Sequence, residues 1–179
     1  MDSEKEDGWI RTFSHVEHFA VDIHGARTRD YKCLVPFHGF SPAIKSFLVE
    51  FSAFPSSRVF DLIFSFPLLE DLSVTTYDHF STAESINSNT QPAKIQSSSP
   101  PVFTGSLELS VGCRMDSVAS RLLSLQNGLR FRKLDLTLEH EDDASFTGKL
   151  VGMCCGTLES LLINNSSMGA SVLHSRLHR

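Results

Sequence analysis

A short string recurs along the chain: an apolar residue, two variable residues, a second apolar residue, one variable residue and a third apolar residue. Its copies begin at Val16 (with Phe19 and Val21), Ile44 (Phe47, Val49), Leu69 (Leu72, Val74), Thr104 (Leu107, Leu109), Phe131 (Leu134, Leu136) and Leu158 (Leu161, Ile163), and only Thr104 departs from the apolar rule. The last two apolar positions of each copy stand two apart, so their side chains leave the same face of an extended strand. Six strands are therefore predicted, each with one apolar face. The alternate positions should point away from the core. They are His18, Ala20, Asp22; Ser46, Leu48, Glu50; Asp71, Ser73, Thr75; Ser106, Glu108, Ser110; Lys133, Asp135, Thr137; and Ser160, Leu162, Asn164.

After three of the strands the period changes from two to about 3.6, which predicts helices. Val59, Leu62, Ile63 and Phe66 form one stripe that Pro67 must end at about Phe66, because a proline disfavours helical geometry in the residue before it. A second helix is predicted from about Ser117 to Asn127. Asp116 is its N-cap, Val118, Leu122 and Leu125 are its stripe, and Gly128 is its left-handed stop. A third is capped by Asp142 or Asp143, buries Phe146, Leu150, Met153 and Cys154, and ends at Gly156. Between Val21 and Ile44 the chain is punctuated by Gly and Pro, and that unit is expected to close irregularly.

Successive copies start 28, 25, 35, 27 and 27 residues apart. All but the third spacing fall within the roughly 20 to 29 residues of a leucine-rich repeat. Residues 81–101, STAESINSNTQPAKIQSSSPP, account for the long one: this Ser/Asn/Pro-rich tract has too little apolar surface to order itself and reads as a disordered insertion. The fold class expected is α/β, a leucine-rich-repeat solenoid fragment of about five or six units. It would have a curved parallel sheet and helices on the convex side, each unit covering its neighbour's apolar face. Residues 1–8 then form a flexible acidic N-terminus, 9–165 the solenoid, and 166–179 a tail or incomplete repeat whose few apolar residues (Val172, Leu173, Leu177) would leave the last unit poorly covered.

Four phrases carry a family resemblance: FHGFSPAIKSFLVEF (residues 37–51), FDLIFSFPLLEDLSV (60–74), SPPVFTGSLELSV (99–111) and GLRFRKLDLTLEHEDDASFTGKLVGMCCGTLESLLI (128–163). They resemble the leucine-rich-repeat region of the large F-box-like protein families of mushroom-forming (basidiomycete) fungi, over most of the chain from about Phe13 to Ile163. The resemblance implies a substrate-receiving repeat array in a cullin-type ubiquitin ligase, with an N-terminal three-helix F-box docking on a Skp-type adaptor. No F-box precedes the first repeat here, since Trp9 and Ile10 lead straight into the Val16 strand, so an adaptor contact is implied only if an F-box is supplied elsewhere. The resemblance brings no catalytic residues.

Composition narrows the function further. The chain has 179 residues and 41% apolar content, enough for a continuous core, and its 14 Phe against 2 Tyr and 1 Trp favour core filling over a wet aromatic interface. A formal charge of -5 argues against nucleic acid or an anionic membrane as partner and favours basic ligands. The charged N-terminus has no apolar run of signal-peptide or membrane-span length behind it, which predicts an intracellular setting, cytoplasmic or nuclear. Cys33, Cys113, Cys154 and Cys155 lack Cys-x-x-Cys spacing and read as reduced, mostly buried thiols.

Neither chemistry nor a cofactor is indicated. His15 and His18, three apart on a strand, would face opposite ways and could not share a metal. The run His140, Glu141, Asp142 and Asp143 suits the positive end of a helix better than acid-base work. Asn164-Asn165-Ser166-Ser167 has glycosylation acceptor form but reads as a turn, and no phosphate loop, nucleophile elbow, kinase or metalloprotease signature occurs. Catalytic, cofactor and metal sites are thus expected to be absent. The candidate is instead the outward strand face, with His18, Asp22, Glu50, Asp71, Ser73, Glu108, Lys133 and Asp135 as the residues that would meet a protein partner, its five acids against one lysine implying a basic surface on that partner. A remnant repeat protein without independent function is the alternative, and a small enzyme the least favoured reading.

Overall fold

The structure, a computed structural model, describes residues 13–23, 37, 40–51, 56–77, 101–111, 115–125, 129–138, 143–165 and 171–176. It is an α/β arrangement in which β1 (His18–Ile23), β2 (Ser46–Phe51), β3 (Asp71–Thr76), β4 (Ser106–Val111), β5 (Lys133–Leu138) and β6 (Ser160–Asn165) lie side by side in chain order in one parallel sheet. A seventh strand, β7 (Ser171–Arg176), turns back and pairs antiparallel with β6. All six predicted strands form where the repeated string places them. β7 lies in the segment expected to be a tail or incomplete repeat and falls outside the repeat pattern.

The register is the one the string demands. Phe47 pairs with Leu72, Leu72 with Leu107, Leu107 with Leu134 and Leu134 with Leu161, so equivalent residues of successive units stand in line across the sheet. The backbone just ahead of each strand repeats too. The carbonyl of Glu17 accepts the N–H groups of Lys45 (2.8 Å) and Ser46 (3.0 Å), that of Lys45 accepts Glu70 (2.8 Å) and Asp71 (2.9 Å), and that of Arg132 accepts Glu159 (2.7 Å) and Ser160 (3.0 Å). The Gly105 carbonyl likewise accepts the N–H groups of Arg132 (2.8 Å) and Lys133 (3.3 Å), so at every junction but that between β3 and β4 the later unit hands two donors to one backbone acceptor of the unit before it.

The core lies on one side of this sheet. Phe47, Val49, Leu72, Val74, Leu107, Leu109, Leu134 and Leu136 are buried in a single cluster with Val59, Leu62 and Ile63 of α1 (Ser56–Ile63), Val118 and Leu122 of α2 (Met115–Leu123), and Leu150 and Cys154 of α3 (Asp143–Cys154). The three helices therefore cover the face to which the repeated apolar residues point. At the β1 end Phe19 gathers the rings of Phe40 (5.0 Å between centroids), Phe37 (5.3 Å) and Phe47 (5.4 Å), which accounts for part of the phenylalanine excess as a cap on the first unit. Ser41, wholly buried, donates to the Val16 carbonyl at 3.0 Å and accepts the Ala43 N–H at 3.3 Å, so its hydroxyl is satisfied inside this cap.

The one imperfect string has a local remedy. Thr104 is only half-buried, and the neighbouring Phe103 fills the core in its place, wholly buried with its ring 5.1 Å from that of Phe131. Pro101, the last residue of the expected insertion, is buried; residues 78–100 lie outside the described residues, as do 1–12 and 24–36.

Three helix details differ from the sequence reading. α1 is regular to Ile63 and relaxes through a turn before Phe66, its end closed by the Ser65 hydroxyl donating to the Leu62 carbonyl at 2.6 Å. α2 begins at Met115 and ends at Leu123, so Asp116 falls inside its first turn; Gly128 lies outside the described residues. In α3 Met153 is 38% exposed and Thr147 takes the buried place predicted for it. The reason is angular: at 3.6 residues per turn Thr147, Leu150, Val151 and Cys154 share a stripe, and Met153 sits about 100° round from its centre. α3 stops at Cys154, whose carbonyl accepts the N–H groups of Thr157 and Leu158, both at 2.8 Å.

Thr147 Oγ1 is buried without a hydrogen-bond partner among the described residues. Thr147→Val keeps the shape and removes the unpartnered hydroxyl, so it is expected to raise stability by about 1 kcal/mol, read as a higher denaturation midpoint at unchanged slope. A lower midpoint would mean that the hydroxyl has an acceptor after all.

Candidate functional site

Because side chains alternate along a strand, burying one set of positions commits the other set to the opposite face. The outward set predicted from the string behaves accordingly: none of its residues is buried, and His18, Ala20, Asp22, Leu48, Glu108 and Lys133 are exposed. In-register pairing arranges them in rows that cross the strands. The middle row runs Ala20, Leu48, Ser73, Glu108, Asp135, Leu162, and the row beyond it Asp22, Glu50, Thr75, Ser110, Thr137, Asn164. The row nearest the strand starts contains His18, Ser46 and Asp71, and then Lys133 beside Ser106 and Ser160.

Acidic residues meet in two places. Asp22 stands opposite Glu50 on β1 and β2, and Glu108 stands opposite Asp135 on β4 and β5. Between the two pairs β3 presents Ser73 and Thr75. Ser73 Oγ donates to Glu108 Oε2 at 3.2 Å, and Asn164 Nδ2 donates to Asp135 Oδ1 at 3.4 Å, so both members of the second pair are oriented by polar neighbours. Leu48, 39% exposed, lies beside Ser73 and supplies an apolar contact in the middle of the face.

Asp71 has a different task. Its Oδ1 accepts the backbone N–H of Ser106 at 2.6 Å and the Ser106 hydroxyl at 2.7 Å. At this junction the carboxylate takes the N–H that elsewhere goes to the backbone carbonyl of the preceding unit, since Glu70 O receives only Gly105 N, at 3.2 Å. Through Oδ1 this carboxylate therefore supports the scaffold. Asp71→Ala is expected to cost about 2 kcal/mol, the usual worth of a charge-assisted bond to a part-buried donor, with Ser106→Ala costing less because the backbone donor keeps its acceptor. Urea titration of the two variants checks the order. The link was readable from sequence in principle, because aligning the strings sets Asp71 against Ser106, but it requires knowing that Gly105 lets the chains approach.

Ion pairs flank the face at the residues just ahead of the strands. Lys45 Nζ lies 3.0 Å from Glu17 Oε1, and Arg132 Nε 3.8 Å from Glu159 Oε1. The hydrogen bond and charge of Lys45 lower the Glu17 pKa and those of Glu17 raise that of Lys45. With the Glu17 value depressed on folding, the pair helps at pH above the ordinary carboxylate range and its contribution fades as pH falls through it; both groups are solvent-exposed, so the effect is small.

His15 lies in a turn before β1 and not on a strand as the sequence reading assumed, and both it and His18 are exposed. Among the described residues no three His, Cys, Asp or Glu side chains gather as a metal site would require. His140, Glu141 and Asp142 lie outside the described residues. Cys154 is buried, with its thiol pKa raised by desolvation, and Cys155 is exposed, so only one of this pair is a core thiol; neither is in a disulfide. Cys33 and Cys113 lie outside the described residues. No helix among the described residues is long and apolar enough to cross a membrane. No protein-family model, curated protein or solved structure matches the chain.

Proposed function

We propose that the chain is a short leucine-rich-repeat solenoid that works as a non-catalytic protein-interaction module, its open strand face receiving a protein partner as the substrate-recognition repeats of fungal F-box proteins do. The observation that carries this reading is the sheet itself: six parallel strands in chain order, in one register, with helices on one face and no buried residue at the alternate positions of the other. Such a face offers a rigid array whose side chains vary without disturbing the core, which is what a recognition surface needs. In this reading the partner is intracellular, and a Skp-type adaptor joins only through an F-box supplied elsewhere.

A photo-crosslinking amino acid placed at Thr75 or Ser110, in cells, is expected to yield protein adducts that are missing when it is placed at Ala144, exposed on α3. Equal adducts from both sides, or none from the strand face, would remove the reading.

A second reading, a remnant without independent function, draws on β6, whose residues are all half-buried, Leu161 and Ile163 included, where their counterparts on β2 to β5 are buried. It predicts a chain that melts early or aggregates when expressed alone. A sharp, reversible transition at high protein concentration would dismiss it.

A further inference from the structure

We propose that two copies of the chain pair through β1, edge to edge and antiparallel about a two-fold axis at Ala20, so that their sheets join into one. β1 is the end strand of the sheet, and among the described residues no strand lies beyond it. Lys45 and Ser46 donate to the Glu17 carbonyl of the unit before theirs; Glu17 and His18 hold the equivalent places with no such acceptor among the described residues. In a parallel ladder alternate residues turn their backbone groups to alternate sides. Since Glu17 bonds toward β2, so do Phe19 and Val21, and the N–H and C=O groups of His18, Ala20 and Asp22 turn toward the outer edge. β1 also carries none of the devices that keep edge strands apart: His18–Ile23 has no lysine or proline, and its register with β2 runs unbroken.

The strand complements itself, which selects a second copy as the occupant. Opposed residues of an antiparallel pair share a face, and a closed two-fold contact sets the same surface against itself. With the axis at Ala20, His18 stands opposite Asp22 on the outward face at both ends, and Phe19 stands opposite Val21 on the core face. Phe19 and Val21 are only half-buried, whereas their counterparts Phe47, Val49, Leu72 and Val74 are buried, so the contact covers apolar surface that this end of the core leaves exposed. Asp22 has interactions within its own chain, and the pairing draws on the sign of its charge opposite an imidazole donor, not on a free oxygen. Moving the axis to Phe19 or Val21 gives up backbone bonds and sets His18 or Asp22 against Ala20. In the Ala20 register the outward faces of both copies form one continuous surface.

Sedimentation velocity of the full chain is expected to show a monomer–dimer equilibrium in the micromolar range, as suits a small edge contact. Ala20→Pro removes the central N–H, which points away from β2, and should weaken dimerisation at least about tenfold while the chain still melts cooperatively. His18→Asp sets two carboxylates opposite each other at both ends and should weaken it by about the same factor. Ala20→Cys places two thiols at the axis, within disulfide reach, and mild oxidation should link this variant much faster than the parent chain, whose Cys155 is exposed, or than Thr75→Cys on β3. Should Ala20→Pro fail to fold, the other two variants decide. A monomer at every concentration, a dimer indifferent to His18→Asp, or Ala20→Cys linking no faster than the parent would overturn the proposal. Crosslinks from Thr75 and Ser110 test the docking face separately, and either result can stand without the other.

Discussion

Phe131→Ala is expected to destabilise the chain by about 3–5 kcal/mol, enough to leave a marginal domain largely unfolded at room temperature. The ring is wholly buried and packed at a tilt against Phe103, which itself fills the core beside the half-buried Thr104. Removing it therefore empties the junction where the repeat pattern is already irregular and where rearrangement is least able to close the gap. The backbone of Phe131 is involved as well, its carbonyl accepting the Thr157 hydroxyl that ties the end of α3 to the start of the β5 unit, at 3.1 Å. In a stack where each unit touches only its neighbours the damage should be local at first. Amide exchange in a partly destabilised preparation is expected to quicken in β4, β5 and β6 and to leave β2 and β3 comparatively protected. A uniform rise across all six strands would mean that the sheet opens as one cooperative body and that the nearest-neighbour description fails.

The same locality explains what could be read from the chain beforehand. A period-two string marks which residues share a face whatever the strands pair with, so the inward set is buried throughout β2 to β5, half-buried on β1 and β6, and no outward residue is buried, down to Leu48 on the exposed side. Parallel order followed from the spacing of 25 residues or more, because a unit of that length has room for a strand, a helix and a return. Helix ends were less legible: α1 and α2 finish on Ser65 and Ser124 hydroxyls donating to carbonyls three residues back, a device with no strong sequence mark. Met153 was misplaced because Leu150 and Met153 are three apart, which satisfies an apolar template while lying off the stripe that Thr147, Leu150 and Cys154 define. Nor could β7 be foreseen, since nothing in SVLHSR repeats the string. Of the candidate face, the acids were identified individually, but which of them stand together depends on register, and register placed Asp22 with Glu50 and Glu108 with Asp135 while setting Asp71 Oδ1 against Ser106.

Gly105→Ala should prove nearly as damaging as the loss of Phe131, by about 3 kcal/mol, although it adds only a methyl group. Gly105 precedes β4 at the junction that follows the long spacing between repeats, and a Cβ at this position would overlap the Asp71 carboxylate, with Cγ 2.8 Å away and the Glu70 carbonyl oxygen 3.1 Å away. Asp71 cannot withdraw without giving up both bonds from Ser106. Other units carry Lys45, Glu70, Arg132 and Glu159 at the equivalent place, so the glycine answers a local crowding and not a general need of the repeat. The two residues should therefore be energetically coupled. In the double variant Gly105→Ala/Asp71→Ala the methyl group occupies the space the carboxylate has left, and its cost should fall short of the sum of the single variants by at least about 1 kcal/mol. The Glu70 carbonyl is backbone and remains, so rescue should be incomplete. Strict additivity in urea denaturation would show that the methyl group is accommodated some other way and that Asp71 does not set the approach of β3 to β4.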